Sequence, residues 1–342
     1  MIIGACGFTG TGSSAVVDYL KGFDSVCIID KGEFILAHSP DGLEDLDYQL
    51  NKHCCKYSSS EVALKRFRLN VRNYTAYRFA HNTEEKDRIM KLTDEYIDSI
   101  VQACWIGNGS ADFQLHTSKL SRKAFDFSRR VFIKIPYGLK KNWKHYPLYK
   151  MEFSMEPEGF YEKTKEYVNS ILEIGGADLD KKIILDQPFS ATKPELAFPY
   201  FEDPLAIVVD RDPRDLYTIV KKIYLKSWGF SQVPTDDVKQ FVVFYRKMRE
   251  IDRNISAEDE KRILNIRFED MIYNYEETSK IINAFCGLDE KDKKKMIFDP
   301  KVSIKNTQVY KNYPELADDI KYIEQMLPNY LFDFESYNKT EI

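Results

Sequence analysis

Three glycines fall within six residues near the N-terminus, in the run Gly7-Phe8-Thr9-Gly10-Thr11-Gly12-Ser13-Ser14. Glycine lets backbone N–H groups converge on an anion, and the hydroxyls of Thr9, Thr11, Ser13 and Ser14 offer further donors. The apolar residues 1–5 before the loop read as a strand, and residues 15–20 after it read as a helix. The positive end of that helix then faces the same point, an arrangement suited to phosphate. A second charged motif, Asp210-Arg211-Asp212-Pro213-Arg214-Asp215, follows another apolar run. It places Arg211 at the carboxyl edge of a sheet, where ligands of open α/β folds bind.

The loop taken by itself fits more than one nucleotide chemistry. Read as Gly10-x-Gly12-x-x-Ala15, with Asp30 twenty residues after Gly10, it matches a dinucleotide fingerprint: a tight turn, close pyrophosphate approach, and an acid for a ribose hydroxyl. Read as Gly7-x4-Gly12-Ser13-Ser14, it is similar to a Walker A loop whose lysine has become Ser13. That loss removes the charge which kinases and ATPases set against the β- and γ-phosphates, and it argues against an ordinary NTPase.

The elements that must position these residues are legible. Apolar, β-branched runs recur at 1–5, 26–30, 131–135, 183–186, 205–210 and 263–268. They are short and separated by helical stretches, as strands buried on both faces of a parallel sheet are. Thr83 is the expected cap of a helix with Glu84 and Glu85 in its first turn and Ile89, Leu92, Tyr96 and Ile100 on one face. Another helix is expected over 161–174, ending at Gly175-Gly176. Residues 33–130 are too long for a plain crossover and are expected to form a helical insertion that shapes an acceptor pocket, or else only covers the sheet. The expected architecture is one α/β domain over 1–342, a three-layer, P-loop-like fold with a central parallel sheet flanked by helices, plus that insertion.

Composition excludes several classes. A chain of 342 residues that is 43% hydrophobic can bury a sizeable core. With 50 basic and 54 acidic residues, a net charge of -4 argues against a general nucleic-acid binder, so any anion site is local. No run approaches the roughly 18 apolar residues that cross a bilayer, and the early loop is expected to leave no room for a removed leader. Six scattered cysteines without a C-x-x-C pair read as reduced thiols of a cytoplasmic protein. The histidines His38, His53, His81, His116 and His145 show no metal-ligand spacing, and no metal is expected.

Four segments, in order, carry a family resemblance: Gly12-Ser13-Ser14, the Arg211 motif, the strand end Arg267-Phe268-Glu269-Asp270-Met271, and Ser303-Ile304-Lys305-Asn306 before Tyr310. Together they resemble the sulfotransferases that use 3′-phosphoadenosine 5′-phosphosulfate (PAPS), closest to bacterial and carbohydrate-sulfating members. The resemblance spans 1–31 and about 181–313. It implies that Phe8, Thr9, Gly10, Thr11, Gly12, Ser13 and Ser14 cradle the 5′-phosphosulfate and that Arg211 holds the 3′-phosphate. It further implies Thr218 as a hydroxyl partner, where the family's serine would align with Ile219. Phe268 takes the aromatic position against adenine, or simply fills the core. Lys305 and Asn306 contact cofactor phosphates, or Lys305 is merely solvated.

In carbohydrate-sulfating members the general base is commonly an acid in a Glu-Lys-x-Pro-like strand end. Here Asp186-Gln187-Pro188 stands in that place, so the resemblance makes Asp186 the base and replaces the family lysine with Gln187. The alternative is that Asp186 turns the chain before Pro188. The histidine base of phenol-sulfating members has no counterpart in Phe132-Ile133-Lys134-Ile135-Pro136. One departure concerns charge: the family loop carries Lys or Arg where this chain has Gly10, leaving Lys134, Lys193 or Lys305 as substitutes. A carbohydrate acceptor is expected from Asp186 and from the aromatic, lysine-bearing stretch 137–149. The competing readings are an NAD(P)-dependent oxidoreductase and a degenerate P-loop protein that binds nucleotide without turnover.

Overall fold

Most of the continuously apolar runs become strands. In the computed structural model, which describes residues 1–29, 31–53, 57–107, 119–136, 139, 149–228, 232–252 and 254–337, these are β1 (Ile2–Gly7), β2 (Val26–Ile28), β3 (Ala103–Gly107), β4 (Tyr149–Phe153), β5 (Lys182–Asp186), β6 (Pro204–Asp210) and β7 (Ile263–Arg267). The chain divides into two compact units, one made of Met1–Ile35 and Gly176–Ile342, the other of Leu36–Gly175.

The first unit holds a five-stranded sheet in the order β2-β5-β1-β6-β7, with every neighbour parallel. β1 lies at its centre with Ile2, Ile3, Ala5 and Cys6 buried, which is why its sequence shows no polar alternation. Along one face, Ile3, Ala5, Ile184, Ile207, Val209 and Ile266 pack against the helices Ser14–Leu20 and Tyr275–Cys286 through Val16, Leu20, Ile282 and Cys286. The other face is closely approached at Gly4, where a Cβ would stand 2.6 Å from the Phe189 ring. Phe189 in turn packs edge-on against Phe198 and Phe201. The helices Pro213–Ile219, Val238–Arg249 and Ala317–Met326 share a further core of Leu216, Phe241, Tyr245, Ile320 and Ile323.

The order of the strands creates a switch point. After β1 the chain passes to β2 on one side of the sheet, whereas after β6 it passes to β7 on the other. The loops leaving the carboxyl ends of β1 and β6 therefore splay apart, opening the crevice where doubly wound sheets bind ligands.

The second unit is helical with one antiparallel hairpin, β3 with β4. Its helices include Tyr57–Asn70, Thr83–Ile100, Lys119–Lys134 and Phe160–Ile174. Tyr96 and Tyr167 stack with ring centroids 4.5 Å apart, and each hydroxyl is satisfied by a threonine, Thr164 and Thr93 respectively, at 2.8 Å. This unit runs on past residue 130 to Gly175.

Two local expectations need correction. Residues 131–135 are not a strand: most of them end the helix Lys119–Lys134, where Val131 is 44% and Ile133 64% exposed. A central parallel strand would bury both, so the β-branched content alone misled. The cap of the helix Thr83–Ile100 is Asn82, whose side chain accepts from the Glu85 N–H at 2.8 Å, while Thr83 is already helical. No helix among the described residues is long and apolar enough to cross a membrane.

Candidate functional site

The loop after β1 is shaped by two left-handed glycines, Gly10 at φ 81° and Gly12 at φ 92°. Both are hemmed in as well: a Cβ on Gly12 would lie 2.7 Å from the Phe268 ring, and one on Gly10 would lie 3.1 Å from Leu216 and 3.2 Å from Tyr224. A lysine or arginine at position 10 would be strained by this backbone and would press its Cβ against Leu216 and Tyr224. Thr11 is buried, with its hydroxyl 2.7 Å from the carbonyl oxygens of both Phe8 and Val209. It thus staples the loop to β6 instead of facing outward. The N–H groups of Gly12, Ser13 and Ser14 donate to no protein group among the described residues, so they remain available to a ligand. Thr9 and Ser14 are exposed, Phe8 is half-buried, and Thr9 lies 3.3 Å from Gln232.

At the end of β6, Asp212 caps the helix Pro213–Ile219 and Pro213 occupies its first turn, a start that needs no N–H from that position. The two arginines of the motif then part company. Arg214 is absorbed by structure, pairing with Asp212 at 2.7 Å and Glu324 at 3.0 Å. Arg211 is 4% exposed yet pairs with no carboxylate among the described residues. Its Nη1 donates to the Gly10 carbonyl at 3.4 Å, its Nη2 donates to the Asn306 carbonyl, and its Nε is buried without a partner. The guanidinium lies 4.5 Å over the Phe268 ring. Burial pulls its pKa down, against the attraction of Asp215 and Glu269.

One cluster therefore gathers Gly10, Gly12, Arg211, Phe268 and Asn306, from four distant segments. In Asn306 the group that meets Arg211 is the main-chain carbonyl, and Lys305 beside it is exposed. Thr218 is not brought to the cluster: it is fully buried, and its hydroxyl donates to the Arg214 carbonyl one turn back at 2.8 Å. Asp186 ends β5 on the opposite side of β1, half-buried at the same carboxyl edge, in register with Ala5.

Several residues to which the sequence assigned no role in the site support it. Asp215 accepts from the N–H of Gln308 at 2.7 Å and of Tyr310 at 3.3 Å, anchoring the turn that carries Asn306. Burial raises its pKa to about 6. Glu269, also buried, accepts from the Asp212 N–H at 2.9 Å, and its pKa is raised to about 7 by the same desolvation. Gln187, at φ 55°, bonds to both ends of the loop. Arg249 pairs with Asp210 at 2.5 Å and lies 4.0 Å over Phe8, beside a cavity of about 270 Å³ lined in part by Asn265, Arg267 and Tyr330. The charged motif around Arg211 pointed toward Asp215, but nothing in sequence marked its backbone partners.

Asp30, the stretch 137–149 apart from Leu139 and Tyr149, His116 and His145 lie outside the described residues. Among the described residues no cluster of three His, Cys, Asp or Glu is placed to hold a metal ion.

The Sulfotransferase family model matches residues 34–292. That span includes Asp186, Arg211 and Phe268; the loop 7–14 and Lys305 lie beyond it. No curated protein matches the chain. Among solved structures it is similar to the sulfotransferase domain from the curacin biosynthetic pathway, at 11% identity and a TM-score of 0.40, covering 97% of this chain and 98% of that one. It is also similar to the sulfotransferase domain from the Synechococcus PCC 7002 olefin synthase, at 12% identity and a TM-score of 0.39, covering 97% and 94%.

Proposed function

The chain belongs to the sulfotransferase family, and we propose that it moves a sulfuryl group from PAPS to a hydroxyl of a carbohydrate. The observation that carries the donor assignment is Arg211: a buried guanidinium with an unpartnered Nε and no carboxylate, wedged between the Gly10 loop and Phe268. A buried cation in no direct ion pair is costly even with carboxylates nearby, and a phosphate at this point lowers that cost. In this reading Arg211 takes the 3′-phosphate, the free N–H groups of Gly12, Ser13 and Ser14 take the 5′-phosphosulfate, and Phe268 flanks the adenine.

Asp186 is the proposed base. It removes the acceptor hydroxyl proton as the new S–O bond forms and the bond to the 5′-phosphate breaks, releasing adenosine 3′,5′-bisphosphate (PAP). The loop's N–H groups and hydroxyls stabilise charge on the transferring sulfate and the leaving phosphate. The carbohydrate assignment rests on Asp186 in its strand-end position. Lys305 and the Asn306 side chain are further candidates for the donor phosphates. A cytoplasmic setting belongs to the same proposal, in keeping with the free cysteines Cys6, Cys27, Cys104 and Cys286.

The test is transfer of radiolabelled sulfate from PAPS to a panel of polysaccharides, oligosaccharides and phenols, with PAP release followed in parallel. Label on a sugar hydroxyl is the expected outcome. Label on phenols alone would overturn the acceptor assignment, and tight PAP binding without transfer to any acceptor would favour the non-catalytic reading.

A further inference from the structure

Gln187 stands where the family has lysine, and it holds a left-handed backbone at φ 55°. A side chain other than glycine or asparagine at such an angle is uncommon and signals that its surroundings demand it. Its surroundings are the phosphate loop. The backbone N–H of Gln187 donates to the Ala5 carbonyl at 2.9 Å, prolonging the pairing of β5 with β1. The side chain reaches across to β1, where Oε1 accepts from the Gly7 N–H at 3.1 Å and Nε2 donates to the Ser13 hydroxyl at 2.9 Å. One amide thus grips the first and the last turn of the loop.

The direction of these bonds has a chemical consequence. A backbone N–H can only donate, so the amide end facing Gly7 is the oxygen and the end facing Ser13 is the NH2. An NH2 group can only donate as well, so the Ser13 oxygen is the acceptor and its own proton points elsewhere. Ser13 donates that proton to no group among the described residues. Its hydroxyl is also close to the loop interior, 3.4 Å from where a Gly7 Cβ would stand.

We propose that Gln187 is a positioning residue for the sulfuryl donor: its amide closes the loop from Gly7 to Ser13 and orients the Ser13 hydroxyl as a proton donor to the 5′-phosphosulfate. This rests on the proposed reading of the loop as the donor cradle. A loop without a cation at Gly10 or at 187 works through neutral donors, and a hydroxyl with its lone pair already engaged is a better oriented one.

Calorimetry with two probes tests it: PAP, which carries a 5′-phosphate, and adenosine 3′-phosphate, which does not. Gln187→Asn keeps an amide and suits a left-handed backbone, but is one methylene too short to span both partners. Ser13→Ala removes the oriented hydroxyl. Each is expected to weaken PAP about tenfold or more, the worth of a hydrogen bond to a charged group, and to leave adenosine 3′-phosphate unchanged. The double variant is expected to bind PAP no more weakly than the worse single variant, because both remove one coupled unit. Should Gln187→Asn fold poorly, Gln187→Glu retains the length but draws the Ser13 proton inward, and it is expected to weaken PAP selectively too. Unchanged PAP affinity in the Gln187 variants, equal loss for both probes, or fully additive losses would overturn the inference. Failure of the wild-type protein to bind PAP would instead overturn the donor assignment itself, and this inference with it.

Discussion

The Nη1 nitrogen of Arg211 lies 3.4 Å from the carbonyl oxygen of Gly10, so a single guanidinium joins the loop after β1 to the loop after β6. These are the two loops that splay apart at the switch point of the sheet. The cation that bridges them comes from the end of the neighbouring strand β6, and its side-chain bonds there are to main-chain carbonyls. Carbonyls are weaker partners for a guanidinium than phosphate oxygens are.

Arg211→Ala is expected to weaken PAP binding by about 1.5–3 kcal/mol, the worth of charge-assisted hydrogen bonds. Arg211→Lys should not restore it, because a point charge cannot span both carbonyl-lined walls as the planar fork does. Calorimetric titration checks both, and unchanged affinity would place the 3′-phosphate elsewhere.

Asp186→Asn is expected to leave PAP affinity near that of the wild type while lowering turnover by roughly 10²-fold or more, the usual contribution of a general base. Retained sulfate transfer would reduce Asp186 to the turn before Pro188.

Restoring a cation to the loop is expected to fail. In Gly10→Lys the side chain must grow from a backbone at φ 81° into space bounded by Leu216 and Tyr224. Gly12→Ala meets the Phe268 ring at 2.7 Å from φ 92°. Each should destabilise the fold by about 1–3 kcal/mol, the cost of such local strain, as read from urea unfolding midpoints. A Gly10→Lys protein that unfolds at the wild-type midpoint and binds PAP more tightly would refute the steric account.

The buried carboxyl of Glu269 predicts a pH dependence of stability. Its pKa in the folded protein is raised to about 7, so the folded state keeps a proton that the unfolded state has released. This contribution is fully present below the ordinary glutamate pKa of 4.5 and is lost as the pH rises through about 7. Asp215, raised to about 6, acts in the same direction. Glu152, whose pKa is lowered, acts in the opposite direction but only toward more acid pH. The wild-type urea midpoint is therefore expected to fall between pH 5 and pH 7.5. Glu269→Gln, which can still accept from the Asp212 N–H, should flatten that fall, and an identical slope in both proteins would contradict the assignment.

Much of the first unit was legible in the sequence. Five of the six apolar runs became the parallel sheet, because its central strands β1 and β6 are covered on both faces and so show no polar alternation, while the edge strand β7 already admits Asn265 and Arg267. The run at 131–135 failed for the converse reason: β-branched residues also fit an exposed helix face, and only burial separates the two. Within the Arg211 motif, the carboxyl-edge placement followed from a strand running into an Asp-Pro helix start. Which of its two arginines stays unpaired did not, since Arg214 takes its partners from residues 212 and 324.

Chain order and residue type by themselves determined the loop and the five strands of the parallel sheet, because these depend on local periodicity and on glycines that tolerate backbone angles other residues resist. Tertiary structure alone decided the working parts. Thr11 and Thr218 turn inward, Asp215 holds the Asn306 turn, and Gln187 clamps the loop across 180 residues of sequence. A hydrogen bond depends on distance and direction in space, and neither is written in the spacing of residues along the chain.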